Sequence, residues 1–146
     1  MGRRRKAREI ALQVLYQIDV TGLPPGEAMD LFWEHFDAPD YARPFCARLI
    51  EGTREHRDAI DERIRGVSSN WSMERMAIVD RNILRMAVFE LLYCRDIPPK
   101  VAINEAIDLG KEYGTENSGS FINGILDALF GNLQENHGHQ DIIGAR

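Results

Sequence analysis

Five cations, Arg3, Arg4, Arg5, Lys6 and Arg8, stand at the start of the chain, and no acid precedes Glu9. A cluster of this density neutralises adjacent phosphates, the electrostatic part of nucleic-acid binding. Gln13 and Tyr16 follow at helical spacing and add a hydrogen-bonding amide and a ring that stacks. Cations for phosphates, with an amide and an aromatic ring for unpaired bases, are the set that single-stranded RNA calls for. Neither half decides alone. A basic run also reads as a solvated charge face, and Tyr16 also reads as a half-buried core tyrosine.

The other titratable groups point to less. Glu105 and Asp108 lie one helical turn apart, a spacing that suits acid–base work, but a solvated helix face accounts for them. His35 and His56 are isolated, with no companions to complete a metal site, and His137 and His139 in the C-terminal segment fit only adventitious metal binding. Cys46 and Cys94 sit in apolar patterns without Cys-x-x-Cys spacing and read as small buried hydrophobes in a reducing compartment. There is no Gly-x-Gly-x-x-Gly, no phosphate loop, no Gly-x-Ser-x-Gly and no His-Glu-x-x-His. These absences argue against an enzyme and leave no cofactor to assign.

The elements that must position the cations are helical. From Arg3 to Val20, Ala7, Ala11, Val14 and Ile18 recur at helical steps, and Arg5, Glu9, Gln13 and Tyr16 fall on the opposite side. Thr21 to Gly26 is a breaker cluster with two prolines and two glycines. A second helix is expected from Pro25 with Ala28, Leu31, Phe32 and Phe36 inward, stopping near Pro39. A longer helix is expected from Asp40 to Arg65, closed by Gly66, with a short helical turn after Ser72. The stretch from Met76 to Tyr93 is apolar nearly all round and marks the hub of the core. Pro98 and Pro99 open the next helix, which ends at Gly114, and the last carries Phe121, Ile122, Ile125, Leu126 and Leu129 inward with Gly131 as its stop. Residues 134–146 read as a frayed polar tail. No segment alternates with period two for long enough to make a strand, so the fold class is all-α.

Length and charge agree with one small acidic domain carrying a basic arm. The 146 residues are 44% hydrophobic, with a net charge of −5. The arm holds five of the 18 basic residues, so the rest of the chain, with 13 basic and 23 acidic residues, carries −10. This pattern predicts a short polyanion footprint rather than a coat for long DNA. No run approaches the roughly 18 apolar residues of a membrane span, and the basic N-terminus lacks the apolar stretch of a signal peptide, so a cytoplasmic protein is expected.

Three blocks together resemble the NusB family: Arg5 to Tyr16 (RKAREIALQVLY), Lys100 to Ala106 (KVAINEA) and Phe121 to Asp127 (FINGILD). The resemblance implies a seven-helix fold over residues 1–133, in two helical subdomains, 1–67 and 68–133, divided near Val67 to Asn70. It implies an antitermination factor that pairs with the small-subunit ribosomal protein acting as NusE, binds boxA RNA of ribosomal RNA leader transcripts and joins the RNA polymerase antitermination complex. By position the family's RNA contacts fall on Arg4, Arg5, Lys6 and Arg8, continued by Gln13 and Tyr16, with Asn117, Ser118 and Phe121 at the turn before the last helix. Position 117 is often acidic in the family, so the neutral Asn117 removes a repulsion toward phosphate. The implied partner surface lies on the C-terminal half, at Arg81, Arg85, Phe89 and Phe121. The resemblance permits a monomer or a homodimer.

Two other readings compete. A NusB-like module also forms part of some ribosomal RNA methyltransferases, but no residues remain here for a methyl-donor domain. A helical protein-interaction adaptor with an idle arm is the second. Because the arm precedes the core stripe, replacing Arg4, Arg5, Lys6 and Arg8 together by Gln is expected to change stability by less than about 1 kcal/mol.

Overall fold

The computed structural model describes the backbone of residues 2–144 except residue 69, and side chains as far as residue 134. Seven α-helices follow in chain order: α1 (Gly2–Thr21), α2 (Pro25–His35), α3 (Arg43–Glu55), α4 (Arg57–Val67), α5 (Ile78–Tyr93), α6 (Pro99–Tyr113) and α7 (Ser118–Gly144). Short 3-10 turns at Asp40–Ala42 and Met73–Arg75 lead into α3 and toward α5. No strand occurs among the described residues.

Local chemistry sets several boundaries. The α1 stripe of Ala7, Ala11, Val14 and Ile18 is buried, and the helix ends where Gly22 takes φ 76° and returns its N–H to the Ile18 carbonyl at 2.8 Å. Only glycine adopts that left-handed geometry cheaply, so it closes the helix before Pro24 and Pro25 open the next. Prolines also occupy the first turns of α3 and α6, where the missing N–H would have had no helical partner.

Helix α5 is the hub. Every residue from Asn82 to Glu90 is buried, and the helix packs against α1, α3, α4, α6 and α7. At Gly52, α3 comes so close to α5 that a β-carbon would overlap the Phe89 ring. One contiguous set of buried apolar side chains runs from Ala7 to Leu129, across the connection of residues 68–77. Both cysteines are free and buried, and burial pushes the Cys46 thiol up to about 12.

The structure departs from the sequence reading in three places. The long helix expected from Asp40 to Arg65 is two helices that meet at His56, whose backbone (φ −103°, ψ 17°) is not helical. The break redirects the chain, because α3 packs on α1 and α5 whereas α4 packs on α5 and α7. Leu31 and Phe36, expected inward, are exposed, since α2 reaches its neighbours through Ala28 and Phe32 alone among its fully buried residues. Gly131 does not stop α7, whose backbone stays helical to Gly144; a glycine inside a helix costs only about 1 kcal/mol. The side chains of His137 and His139 lie outside the described residues.

Candidate nucleic-acid interface

The arm is the first two turns of α1, laid beside the connection before α6 and the first turns of α6 itself. Arg4 reaches Asp96 at 3.1 Å, which also receives two bonds from Arg48, at 2.7 and 3.1 Å. These guanidinium groups hold the Asp96 carboxyl far below the usual carboxylate range. Arg5 binds Glu105 through Nε and Nη2, at 3.1 and 2.6 Å, and Asp108 at 2.7 Å. The Arg5 bond lowers the Glu105 carboxyl, with burial opposing, and the two acids raise the Arg5 guanidinium in turn. Glu105 and Asp108, which resembled a solvated face, therefore hold a cation. Aromatic rings add a second layer: Arg3 lies over Tyr41 and Arg4 over Phe45, each 4.7 Å from the ring centre.

Arg8 breaks with its neighbours. Its side chain is 3% exposed and grips Glu90 of α5 with three bonds of 2.6 to 3.2 Å, while Arg5 is 47% exposed. Burial raises the Glu90 carboxyl, and Arg8 opposes that rise. The family's basic motif therefore divides here: Arg4, Arg5 and Lys6 face solvent, whereas Arg8 bolts α1 to α5 and has no room for a phosphate. The expectation that all four arm cations can be replaced at little cost to stability does not survive this geometry, because it would leave Glu90 buried without its cation.

From the arm, the outer face of α1 leads into a groove of about 440 Å³ whose lining includes Lys6, Gln13, Tyr16, Gln17, Phe36, Val79 and Tyr113. Lys6 takes part in no ion pair among the described residues. Tyr16 is 36% exposed, so its ring is not locked in the core. Tyr113, which the sequence reading did not single out, donates to Glu9 across the groove at 2.9 Å; burial first and then that bond push its hydroxyl up to about 12. Its place on the outer face of α6 carried no signal in the sequence, because its neighbour is more than a hundred positions away.

The turn between α6 and α7 brings Asn117 to the surface and Phe121 half out of the core, but it buries Ser118. The Ser118 hydroxyl accepts the Thr115 N–H at 2.9 Å, and a β-carbon at Gly114 would overlap it. Ser118 thus shapes the turn and does not face a ligand. Two of the expected partner residues, Arg85 and Phe89, are likewise internal, and Arg81 is half-buried. Arg81 joins Asp19 at 2.8 Å and the Met73 carbonyl at 3.0 Å; Arg85 joins Asp61 at 2.8 and 3.0 Å; Phe89 is buried under Gly52. Phe121 and, to a lesser extent, Arg81, whose side chain is 15% exposed, reach the surface. Among the described residues no cluster of His, Cys, Asp and Glu suits a metal, and no helix is long and apolar enough to cross a membrane.

The same arrangement of sequence and fold recurs in known proteins. The NusB family pattern matches residues 5–130. Transcription antitermination protein NusB from Syntrophus aciditrophicus (strain SB) is 61% identical over 142 residues, 97% of this chain and 88% of that protein. The protein of the same name from Desulfatibacillum aliphaticivorans is 50% identical over 129 residues, 88% of this chain and 90% of that one. T. maritima NusB superposes with a TM-score of 0.78 at 39% identity, over 86% of this chain and 89% of that one. A crystal structure of antitermination factors NusB and NusE in complex with double-stranded RNA superposes with a TM-score of 0.78 at 31% identity, over 90% of this chain and 98% of its counterpart. With the match running from the arm through the groove to α7, this chain belongs to the NusB family of transcription antitermination proteins.

Proposed function

We propose that this chain is a non-enzymatic antitermination factor that binds boxA RNA of ribosomal RNA leader transcripts as a single strand. It does so together with a NusE-type small-subunit ribosomal protein, as part of the RNA polymerase antitermination complex in the cytoplasm. The observation that carries the reading is continuity: the solvent-facing cations Arg4, Arg5 and Lys6 run directly into a groove that presents Gln13 and Tyr16. Phosphates meet the cations, and the amide and ring meet unpaired bases, whose edges and faces a duplex would conceal. Asn117 and Phe121 extend the path at the α6–α7 turn. The protein partner takes exposed residues of the C-terminal half, with Phe121 and the exposed edge of Arg81 available to it and Arg85 and Phe89 supporting the surface from within.

The internal pairing of Arg4 and Arg5 favours the idle-arm adaptor as a second reading. Magnitudes decide against it. Exposed pairs such as Arg4–Asp96 and Arg5–Asp108 contribute about 0.2–1 kcal/mol, so exchanging such a carboxylate for a phosphate at the surface costs little, and counterion release from the RNA drives it.

A titration with boxA RNA across salt tests the proposal. Three phosphate contacts at about 0.7 each give a slope of about −2 in log K against log salt. The combined Arg4→Gln, Arg5→Gln, Lys6→Gln variant should stay folded, keep the protein partner and lose most of that slope, and a duplex of the same sequence should bind less tightly. A flat salt dependence in the wild type, or an unchanged slope in the variant, returns the arm to an idle role.

A further inference from the structure

Trp71 is the most exposed tryptophan of the chain, at 54%, and nothing in the RNA path described so far uses it. It stands in the connection between α4 and α5, yet its surroundings are fixed. The Trp71 N–H donates to the Ser68 carbonyl at 2.9 Å. Two residues on, Met73 is buried, and its carbonyl accepts the Arg81 guanidinium that also binds Asp19 at the end of α1. The indole meets the Phe121 ring edge to face, with centroids 5.8 Å apart and planes at 75°. An exposed indole with an anchored backbone and a second ring against it offers a π surface to solvent.

Position links this pair to the RNA groove by two routes. Val79 lines the groove, and the chain leading into it from the other side carries Trp71. Tyr113 also lines the groove, and the turn that follows it delivers Asn117 and then Phe121. Lys111, in the last turn of α6, lays its side-chain carbons across Gly119 in the first turn of α7, two residues before Phe121. The flanking residues Asn70, Ser72 and Asn117 are exposed and polar. A protein partner needs an apolar patch of several hundred Å², whereas one exposed indole flanked in the chain by Asn70 and Ser72 fits a single nucleobase.

We propose that Trp71, braced by Phe121, is a base-stacking platform that holds one unpaired nucleotide beyond the Tyr16 groove. This rests on the RNA-binding reading above and adds a residue and a direction to it: the strand runs from the arm along α1, past Tyr113 and the Asn117 turn, to Trp71.

The chain has two tryptophans, so Trp33→Phe leaves Trp71 as the sole indole. Titrating that variant with single-stranded boxA RNA should quench the indole emission, with the same midpoint as the anisotropy of a labelled RNA. Trp71→Ala should weaken RNA binding by roughly 5- to 150-fold, the range for loss of one base–aromatic stack, and Trp71→Phe should restore most of it. If RNA binds with a steep salt dependence but leaves the emission unchanged, the platform is overturned while the RNA-binding reading stands; since this readout uses a protein with Trp71 intact, it holds even if Trp71→Ala unfolds. Failure of both variants and the wild type to bind RNA overturns both. Quenching by the NusE-type protein alone, with RNA affinity indifferent to Trp71→Ala, reassigns the pair to protein docking and overturns the platform.

Discussion

Two sets of arginine–carboxylate contacts use the same chemistry at different depths. The outer set, Arg4 with Asp96 and Arg5 with Asp108, lies at the surface on the arm's side, where Arg5 also reaches the partly covered Glu105. The inner set ties helices together: Arg8 with Glu90 and Arg85 with Asp61. Water and salt screen the outer pairs, so each carboxylate can yield its cation to a phosphate. The inner groups have left water behind, and removing one partner strands a buried charge. Depth, and not residue type, separates cations open to a ligand from cations that hold the fold. Arg5 and Arg8, three residues apart on one helix, fall on opposite sides of that line.

The largest effect that would break this contrast belongs to Arg8. Arg8→Gln should destabilise the fold by about 3–5 kcal/mol in urea unfolding, whereas replacing Arg8 and Glu90 together by Met and Leu should be far milder. The loss should depend on pH. Burial already raises the Glu90 carboxyl, and without Arg8 its folded value rises further above the unfolded one. A carboxyl raised in the folded state favours folding below its unfolded pKa and loses that contribution as pH rises through the folded value. The deficit of Arg8→Gln should therefore shrink on acidification and be largest at neutral pH and above; a deficit that grows in acid would sink the assignment. RNA affinity of the folded fraction should fall little.

Next comes Tyr16, on the ligand side of the same helix. Tyr16→Ala should weaken RNA binding by about 1–3 kcal/mol with the melting temperature nearly unchanged, and Tyr16→Phe should be mild. An equal loss of stability and of RNA affinity would place Tyr16 in the core set instead.

Smaller effects sharpen the outer set. Asp108→Asn removes one of the two acids holding Arg5, so RNA affinity at low salt should rise by less than about 1 kcal/mol, and the gain should vanish at high salt. A weaker complex would mean that Asp108 orients Arg5 for the phosphate and does not compete with it. Smallest is Asn117→Asp, which should lower RNA affinity at low salt by up to a few-fold, with the difference fading as salt rises, and leave the protein partner's affinity unmoved. No change in RNA binding at low salt would put position 117 outside the path.

The elements of the fold were legible wherever their cause is local. The spacing of Ala7, Ala11, Val14 and Ile18 placed α1, the glycines and prolines after Thr21 and after Asp96 placed its neighbours, and the apolar run in α5 marked the hub, because periodicity and missing donors act within a few residues. The exposed part of the candidate site, Arg4, Arg5, Lys6, Gln13 and Tyr16, could be grouped from the sequence for the same reason: one helix carries it. Tertiary structure decided what depends on residues far apart in the chain. The break at His56 follows from which helices α3 and α4 must each cover. The burial of Arg8 follows from Glu90, 82 positions away, and the engagement of Arg5 follows from Glu105 and Asp108, 100 and 103 positions away. A sequence pattern records which face of a helix is apolar, but the depth of a charge depends on what packs over it, and that depth separates the solvent-facing cations proposed to meet RNA from the one that holds α1 to the core.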